Sequence, residues 1–322
     1  MGKIVTLGEV VADVYREQAP SDVELPFTCR PGGAPANVAV AAARLGAEAG
    51  FVGRLGDDLF GDFILRALKS TGVDTSAILR QSPPTRTTLA FVEVAADGDR
   101  EFTFYRSVPA ADELLAPDDI RRESLEGASF ANFGSIPLIQ DPVRSATRRF
   151  AELANELGVA VAFDVNLRAH LWESVDAFSA AVEPMIELST IVKVSEDELL
   201  PALGTDDPEQ GARRLLERGV SLALVSMGAS GALYMTRDFE GRVTGFEIDD
   251  VVDATGAGDA FLAATLTHLS ERPGWVDDES SVREAVERGV AAGALACTDF
   301  GAMRALPTRT ELERFMASRA GR

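Results

Sequence analysis

Residues 253–269 read DATGAGDAFLAATLTHL, a turn of small residues followed at once by an apolar helical run. Gly256, Ala257 and Gly258 carry almost no side chain, so their backbone N–H groups can converge on an anion, which the helix dipole also favours. Asp259 stands at the same helix start, where we expect it to stay ionised and to accept a hydroxyl proton as a general base. The residues alone fit two interpretations, a phosphoryl-transfer site or a flexible turn whose Asp only caps the helix.

Two other kinds of phosphate site are excluded by the sequence. It contains no G-x-x-x-x-G-K-[ST] motif, so the protein is not a P-loop enzyme. A dinucleotide fingerprint needs Gly or Ala where Phe261 stands, and it belongs in the first βα turn, whereas this stretch lies late in the chain. A dehydrogenase is therefore disfavoured.

Strand-like and helix-like stretches alternate through most of the chain. Short apolar or β-branched runs, typical of buried strands, lie at residues 4–7, 50–52, 129–133, 159–164, 190–194 and 222–226. Helical patterns, each closed by a glycine, lie at residues 35–45, 60–70, 142–157 and 208–218. Near-continuous apolar strands alternating with helices predict an α/β fold with a mostly parallel sheet covered on both faces.

One region breaks this alternation. Residues 86–106 have a period of two around an Asp97-Gly98 turn, which predicts a β hairpin. Residues 10–28 also lack helical periodicity. We expect insertions at about 10–30 and 86–107 to form a small β-sheet lid on one α/β domain that spans residues 1–322. Such a lid would cover a site at the carboxyl ends of the parallel strands.

Composition restricts the partners and the location. The chain has 51 acidic and 31 basic residues, a formal net charge of −20. A surface this acidic repels phosphate backbones and anionic lipid, so we expect neither nucleic acid nor membrane as a partner. Two cysteines and two histidines are too few for a disulfide framework or for a zinc site of His and Cys ligands, and they favour a reducing cytoplasm.

DATGAGDAF resembles the carboxy-terminal signature of the ribokinase-like carbohydrate kinases, the PfkB family. PGGAPANVAVAAARLG at residues 31–46 resembles the amino-terminal signature of that family, and GRLGDDLFG at 53–61 resembles the segment that follows it. The resemblance covers nearly the whole chain, from LGEVVAD to FGAMRALPT. It implies a ribokinase-like fold and transfer of the ATP γ-phosphate to a sugar hydroxyl.

The resemblance also implies roles for individual residues. Asp259 is expected to be the base, and Gly256, Ala257 and Gly258 to hold the transferred group. Residues that match the sugar-binding positions of the family are Asp13, Gly32, Gly33, Asn37, Arg106 and Arg168. For two of these positions a role without sugar is also possible, because Asp13 could be a solvated turn residue and Asn37 could cap its own helix.

The nucleotide and its ions are expected on the other side of the site. Residues that match nucleotide-binding positions are Lys193, Ser195, Ser226, Gly228 and Gly231. Glu198 is expected to organise Mg²⁺ through water, and Asp253 and Thr255 match a monovalent cation site for K⁺. The family often has Asn-x-x-Glu where this chain has Ser195-x-x-Glu198. That pattern is also an ordinary helix capping box.

Two motifs bear on the sugar. FYR ending at Arg106, followed by Ala111-Asp112, and the D-x-N-x-R-x-x-L-W pattern around Arg168 resemble fructokinases. The 2-keto-3-deoxygluconate kinases also place arginines here, but Phe104 stands where they often have a hydroxyl-bearing aromatic residue. Fructose is therefore the expected substrate. The alternatives are a keto-sugar acid or a non-catalytic regulator that binds sugar or nucleotide. The family also suggests a homodimer through the lid.

Overall fold

The structure is a computed structural model, and it describes residues 2–17, 21, 23–94 and 100–319. The β strands are β1 Lys3–Leu7, β2 Val11–Arg16, β3 Phe27–Gly32, β4 Glu48–Gly56, β5 Ile78–Gln81, β6 Leu89–Val94, β7 Arg100–Tyr105, β8 Ala128–Gly134, β9 Ala160–Asp164, β10 Ile191–Ser195, β11 Leu222–Ser226, β12 Ala232–Met235 and β13 Glu240–Val243. The α helices are α1 Ala34–Arg44, α2 Leu59–Ser70, α3 Arg122–Leu125, α4 Val143–Glu156, α5 Val175–Glu187, α6 Leu199–Leu203, α7 Pro208–Glu217, α8 Ala257–Ser270, α9 Glu279–Ala296, α10 Ala302–Ala305 and α11 Arg309–Arg319.

Nine strands form the main sheet, in the order β13-β12-β11-β10-β9-β8-β1-β4-β5. The strands from β11 to β5 pair in parallel, and β12 and β13 add an antiparallel edge. Alternate residues of one strand enter different cores: Leu222 and Leu224 face one, and Ala223 and Val225 face the other. Both faces are therefore buried, as near-continuous apolar strands require.

Helices cover the two faces of this sheet. Residues of α1, α8 and α9 fill the core on one face, and residues of α4, α5 and α7 fill the core on the other. Local signals set where helices start: Pro208 opens α7, and the preceding Asp207 accepts from the Gln210 amide at 2.9 Å. The predicted α/β architecture with a mostly parallel, doubly covered sheet is confirmed.

A second sheet, the lid sheet, has four strands in the order β3-β2-β6-β7. Strands β2 and β6 are parallel, and the two outer pairs are antiparallel. These strands fall in the two stretches that broke the α/β alternation in the sequence, so the predicted small sheet is confirmed. The Asp97-Gly98 turn predicted for the β6–β7 hairpin lies outside the described residues.

Two further observations concern the cysteines and membrane-spanning helices. Cys29 and Cys297 are both free thiols. Over residues 2–17, 21, 23–94 and 100–319, the structure contains no helix that is both long and apolar enough to cross a bilayer.

Candidate active site

A cleft of about 710 Å³ opens between the carboxyl ends of the parallel strands and the lid sheet. The lid sheet lines the cleft through Val11, Asp13, Ala90 and Phe104, and the start of α8 lines it as well. Parallel strands end at the same edge of a sheet, which is where ligands bind in this class of fold. The predicted residues that the fold brings to this cleft are Asp13, Gly33, Asn37, Arg168, Lys193, Asp253, Thr255, Gly256, Gly258 and Asp259.

Asp259 lies in the first turn of α8 and is only 7% exposed. The Asn37 side-chain amide of α1 donates to its Oδ2 at 2.7 Å. Burial raises the pKa of Asp259 above the ordinary carboxyl value, although Asn37, Lys193 and Arg168 act in the opposite direction. From the helix start alone we expected Asp259 to stay ionised. The raised pKa makes the Asp259 carboxylate a stronger base for the hydroxyl proton.

The turn before α8 presents backbone amides to the cleft. Gly256 has φ 86°, a left-handed conformation that side chains other than glycine rarely adopt. In the described part of the chain, the amides of Gly256, Gly258 and Asp259 donate to no protein acceptor, whereas the Ala257 amide donates to the Ala254 carbonyl at 3.2 Å. Gly256, Gly258 and Asp259 are therefore the available anion donors, and Ala257 contributes by its small size.

Lys193 and Asp164 form a buried ion pair below this turn. Lys193 Nζ donates to Asp164 Oδ1 at 2.9 Å, and the two side chains are 6% and 5% exposed. Burial raises the pKa of Asp164 to about 6. The carboxylates of Asp164, Glu198 and Asp259 together outweigh the burial of Lys193 and raise its pKa, so the lysine stays charged.

Glu198 lies at the end of a single turn after β10, and backbone amides hold both of its carboxylate oxygens. Leu167 N donates to Oε1 at 2.7 Å and Ser195 N donates to Oε2 at 2.8 Å. The second contact is the one that the capping-box pattern predicts. The first fixes the loop after β9, which carries Arg168 and also Asn166 with φ 38°. Glu198 therefore sets the position of a cleft-lining loop.

Asp253 joins the turn before α8 to the segment before α10. Its Oδ1 accepts from the Thr255 amide at 2.8 Å, and its Oδ2 accepts from the Gly301 amide at 2.7 Å. The carboxylate thus shapes the backbone around the predicted monovalent cation position. Within the described ranges, no group of three or more His, Cys, Asp or Glu side chains is arranged to hold a metal ion.

The sugar side of the cleft depends on close backbone packing. A β-carbon on Gly32 would lie 2.0 Å from Asp13 Oδ2. Only glycine at this position therefore avoids a clash with the Asp13 carboxylate. Gly33, at φ 106°, precedes α1, and a β-carbon there would lie 2.6 Å from the Glu9 carbonyl oxygen. Glycine at position 32 therefore leaves room for the Asp13 carboxylate, and glycine at position 33 lets the backbone pass close to the Glu9 carbonyl.

Arg106 does not line the main cleft. It lies in an adjoining cavity of about 20 Å³ with Glu9, Asp112 and Glu113. Its Nη1 contacts Glu113 Oε1 at 3.2 Å, and its guanidinium carbon lies 4.8 Å from the centre of the Phe104 ring. Arg106 therefore supports the cleft wall through Phe104, whereas Arg168 lines the cleft itself.

The predicted nucleotide-side residues lie along the neighbouring strand ends. Ser195 and Ser226 are the last residues of β10 and β11 and are register partners. Gly228 (φ 53°) and Gly231 (φ 100°) form the turn that follows β11. These four residues lie outside the lining of the 710 Å³ cleft, on the same edge of the sheet.

Sequence patterns missed several cleft residues, among them Glu9, Asn166 and His170. Glu9 and Asn166 stand inside the LGEVVAD and D-x-N-x-R patterns, so their motifs were available signals. No sequence pattern indicated His170, because its contact is with a residue that is distant in the chain. Its ring stacks on Phe104 of the lid sheet with centroids 6.0 Å apart. Burial, followed by the charges of Arg168 and Arg106, lowers the pKa of His170.

Glu9 gives the fold a testable dependence on pH. It is 5% exposed, and burial raises its pKa from 4.5 to about 7. A carboxyl whose pKa is higher in the folded state opposes folding once it ionises, so its destabilising effect grows as pH rises from about 4.5 to about 7 and then stays constant. The upper bound is roughly 3 kcal/mol. We expect Glu9→Gln to raise Tm by several degrees at pH 8 and by much less at pH 5.

Differential scanning fluorimetry across pH 5–8 checks this expectation. Glu196→Gln is the matched control, because Glu196 is exposed and should leave Tm unchanged at every pH. An equal gain for Glu9→Gln at pH 5 and pH 8 would show that Glu9 is not the titrating group.

Comparison with known proteins gives a consistent result along the whole chain. The model described as pfkB family carbohydrate kinase matches residues 1–309. Fructokinase-1 of Oryza sativa subsp. japonica is 41% identical over 318 residues, which cover 98% of each protein. The crystal structure of fructokinase with bound ATP from Xylella fastidiosa superposes with a TM-score of 0.89 at 32% identity over 99% of each chain. A fructokinase double mutant from Vibrio cholerae O395, in a form with fructose, ADP and potassium ion bound, gives a TM-score of 0.87 at 35% identity over 98% of each chain.

Proposed function

Because this chain belongs to the pfkB family of carbohydrate kinases, we propose that it is a fructokinase, which transfers the γ-phosphoryl group of ATP to fructose and forms fructose 6-phosphate. The fructokinases that resemble it do so over nearly their full length. The observation that carries the chemistry is the buried Asp259 carboxylate beside three available amides at the start of α8. A non-catalytic regulator would need neither.

The reaction is an in-line phosphoryl transfer. The 6-hydroxyl oxygen of fructose forms a bond to the γ-phosphorus while the bond from that phosphorus to the β,γ-bridging oxygen breaks and ADP leaves. Asp259 takes the hydroxyl proton. Asn37 occupies its Oδ2 at 2.7 Å, which leaves Oδ1 for that proton and fixes the plane of the carboxylate. Asn37 is therefore assigned to orient the base, in addition to its expected contact with the sugar.

Charge on the transferred group is met by the start of α8. The amides of Gly256, Gly258 and Asp259 have no acceptor among the described residues and are assigned to this anion, and fixed donors of this kind are worth about 3 kcal/mol each in a transition state. Asp13, Gly33 and Arg168 also line the cleft and are assigned to the sugar. Ser226, Gly228 and Gly231 are assigned to the nucleotide.

We assign Mg²⁺ to the nucleotide phosphates and to water. Mg²⁺ in kinases keeps several waters and neutralises charge on the phosphates. The side chains of this chain fit that arrangement, because Glu198 already accepts two backbone N–H groups and retains only its remaining lone pairs for a bound water. Asp253 and Thr255 are assigned to a monovalent cation, and a fructokinase relative is known in a form with potassium ion bound.

A substrate panel tests the function directly. We expect ATP-dependent ADP release with fructose that exceeds the release with 2-keto-3-deoxygluconate and with nucleosides by at least ~10²-fold in kcat/KM, since an active site discriminates by contacts that only one substrate makes. A preference for the keto-sugar acid would replace fructose as the substrate. Absence of ADP release with every sugar would overturn the kinase assignment.

Arg168 separates the two sugar classes. An arginine that lines the cleft can pair with a carboxylate, whereas a neutral ketose receives only ordinary hydrogen bonds. Arg168→Ala should therefore raise KM for 2-keto-3-deoxygluconate by at least ~10²-fold and KM for fructose less than ~10-fold. Steady-state kinetics with both sugars measure this. Arg144→Ala, on α4 and away from the cleft, is the control. Equal small effects on both sugars would leave Arg168 as a structural residue.

We also propose that two copies associate through the lid sheet. Ala90 and Phe104 face the cleft, so Phe91 and Tyr105, one residue along each strand, face away from it. Phe27, Phe91 and Tyr105 form an aromatic row with centroid distances of 5.2 and 4.8 Å, and Tyr105 is 62% exposed. Sedimentation should show a dimer for the wild type and a monomer for Tyr105→Lys. A wild-type monomer at micromolar concentration would exclude this association.

A further inference from the structure

The ion pair between Lys193 and Asp164 is placed by the register of the sheet. Asp164 is the last residue of β9, and Lys193 is its partner on the adjacent parallel strand β10. The Val165 amide donates to the Lys193 carbonyl at 2.9 Å, which holds the two strands together at this point. The two side chains therefore meet on the same face, at the edge where the cleft begins.

A structural role alone explains this pair poorly. Both side chains are at least 94% buried. Removing the two charges from water costs several kcal/mol per ion, and their mutual attraction offsets this desolvation cost only when the geometry is good and the remaining polar atoms are hydrogen-bonded. Asp164 Oδ2 has no hydrogen-bond partner among the described residues. The preceding register pair on the same face, Ala162 and Ile191, is apolar and fully buried, so an apolar pair would suit this depth of the sheet. A charge pair with a high desolvation cost and an oxygen without a hydrogen bond points to a role in the reaction.

The position of the ammonium group indicates that role. A β-carbon on Gly258 would lie 3.1 Å from Lys193 Nζ, so the ammonium lies directly against the first turn of α8. That turn carries the amides of Gly256, Gly258 and Asp259, and Lys193 lines the same cleft. A positive charge at this place adds to the partial positive charge of the helix start.

We propose that Asp164 is a positioning residue for phosphoryl transfer: it fixes the Lys193 ammonium against the start of α8, where the ammonium meets the charge on the transferred group. The inference rests on the proposed kinase function and adds Asp164 to the residues that serve it. Lys193 makes the contact with phosphate, and Asp164 acts only through Lys193. A flexible lysine side chain on its own would be free to fold towards Glu198 or Asp259, whose charges also attract it.

A double-mutant cycle tests this dependence. The variants are Lys193→Met, Asp164→Asn and the combination of both, and kcat and KM for fructose and for ATP are measured for each. We expect Lys193→Met to lower kcat by ~10²-fold or more, as loss of one charge-stabilising group does, with KM for fructose changed less than threefold. Asp164→Asn keeps an acceptor but loses the charge, and it should lower kcat by about 10-fold. The double variant should match Lys193→Met within threefold.

The cycle also works if one variant fails to fold. Asp164→Asn leaves a buried ammonium without its counter-ion, whereas the double variant is uncharged and should fold, so comparing it with Lys193→Met still isolates Asp164. A double variant that loses the full additional 10-fold would show that Asp164 acts independently of Lys193 and would overturn the inference. A wild-type kcat for Asp164→Asn would overturn it as well. Wild-type protein that is inactive with every sugar would instead remove the proposed function, together with this inference.

Discussion

Asp259→Asn should lower kcat for fructose by at least ~10²-fold while KM for fructose changes less than threefold. The asparagine side chain has the same shape and can still accept the 2.7 Å hydrogen bond from Asn37, so the cleft keeps its form. It cannot take a proton from the sugar hydroxyl, and general-base help is worth ~10²–10⁴-fold. Because the group lost acts only in the transition state, kcat falls and substrate binding does not.

Two measurements make this result specific. Steady-state kinetics give kcat and KM, and direct titration with fructose confirms that the variant still binds the sugar. Asp62→Asn is the control, because Asp62 also lies in the first turn of a helix, α2, but its side chain is 57% exposed and pairs with Arg80 on the surface. An unchanged kcat for Asp259→Asn would remove Asp259 from the base role.

Gly32→Ala should lower kcat/KM for fructose by roughly 10²-fold, mostly through KM. The new methyl group would lie 2.0 Å from Asp13 Oδ2, far inside van der Waals contact, so the carboxylate must move. Asp13 lines the cleft and is assigned to the sugar hydroxyls. A hydrogen bond to a charged group is worth about 1.5–3 kcal/mol, which corresponds to the expected loss. KM for ATP should change little, because the disturbance is on the sugar side.

Gly50→Ala is the matched control for this substitution. Gly50 is also a strand glycine, and its β-carbon would meet Val5 at an ordinary 3.7 Å. This variant should keep both kinetic constants within twofold. If Gly32→Ala keeps the wild-type KM for fructose, Asp13 does not contact the sugar.

The sequence allowed the fold to be predicted because its strands are buried on both faces. Runs such as residues 222–226 are apolar without alternation, and this needs no knowledge of the neighbouring strands. The signal for the start of α8 was equally local. The small residues and Asp259 are adjacent in the chain, so the turn and its carboxylate could be inferred together. The β6–β7 hairpin could be predicted for the same reason, since a period of two is a property of each strand alone, whereas residues 10–28 were assigned to the lid only because they lack helical periodicity.

What the sequence did not reveal depends on residues that are distant in the chain. Asn37 and Asp259 are 222 positions apart, and no pattern within either helix indicates their hydrogen bond. Arg106 was expected to face the sugar, yet Glu113 holds it in the adjoining cavity. The raised pKa of Asp259 has the same origin, because burial is produced by the packing of the whole cleft and not by the helix start.

Helices α1 and α8 both begin at the cleft, at Gly33 and Gly256. A molecule with a net charge of −20 thus places the partial positive charge of two helix starts in its cleft, together with the cationic side chains of Arg168 and Lys193. ATP approaching from solution is repelled by the acidic exterior, and the attraction of the helix starts and of these side chains acts only at short range, within the cleft. The acidity of the exterior can therefore drift under other selective pressures, such as solubility in salt, without altering how the nucleotide is held.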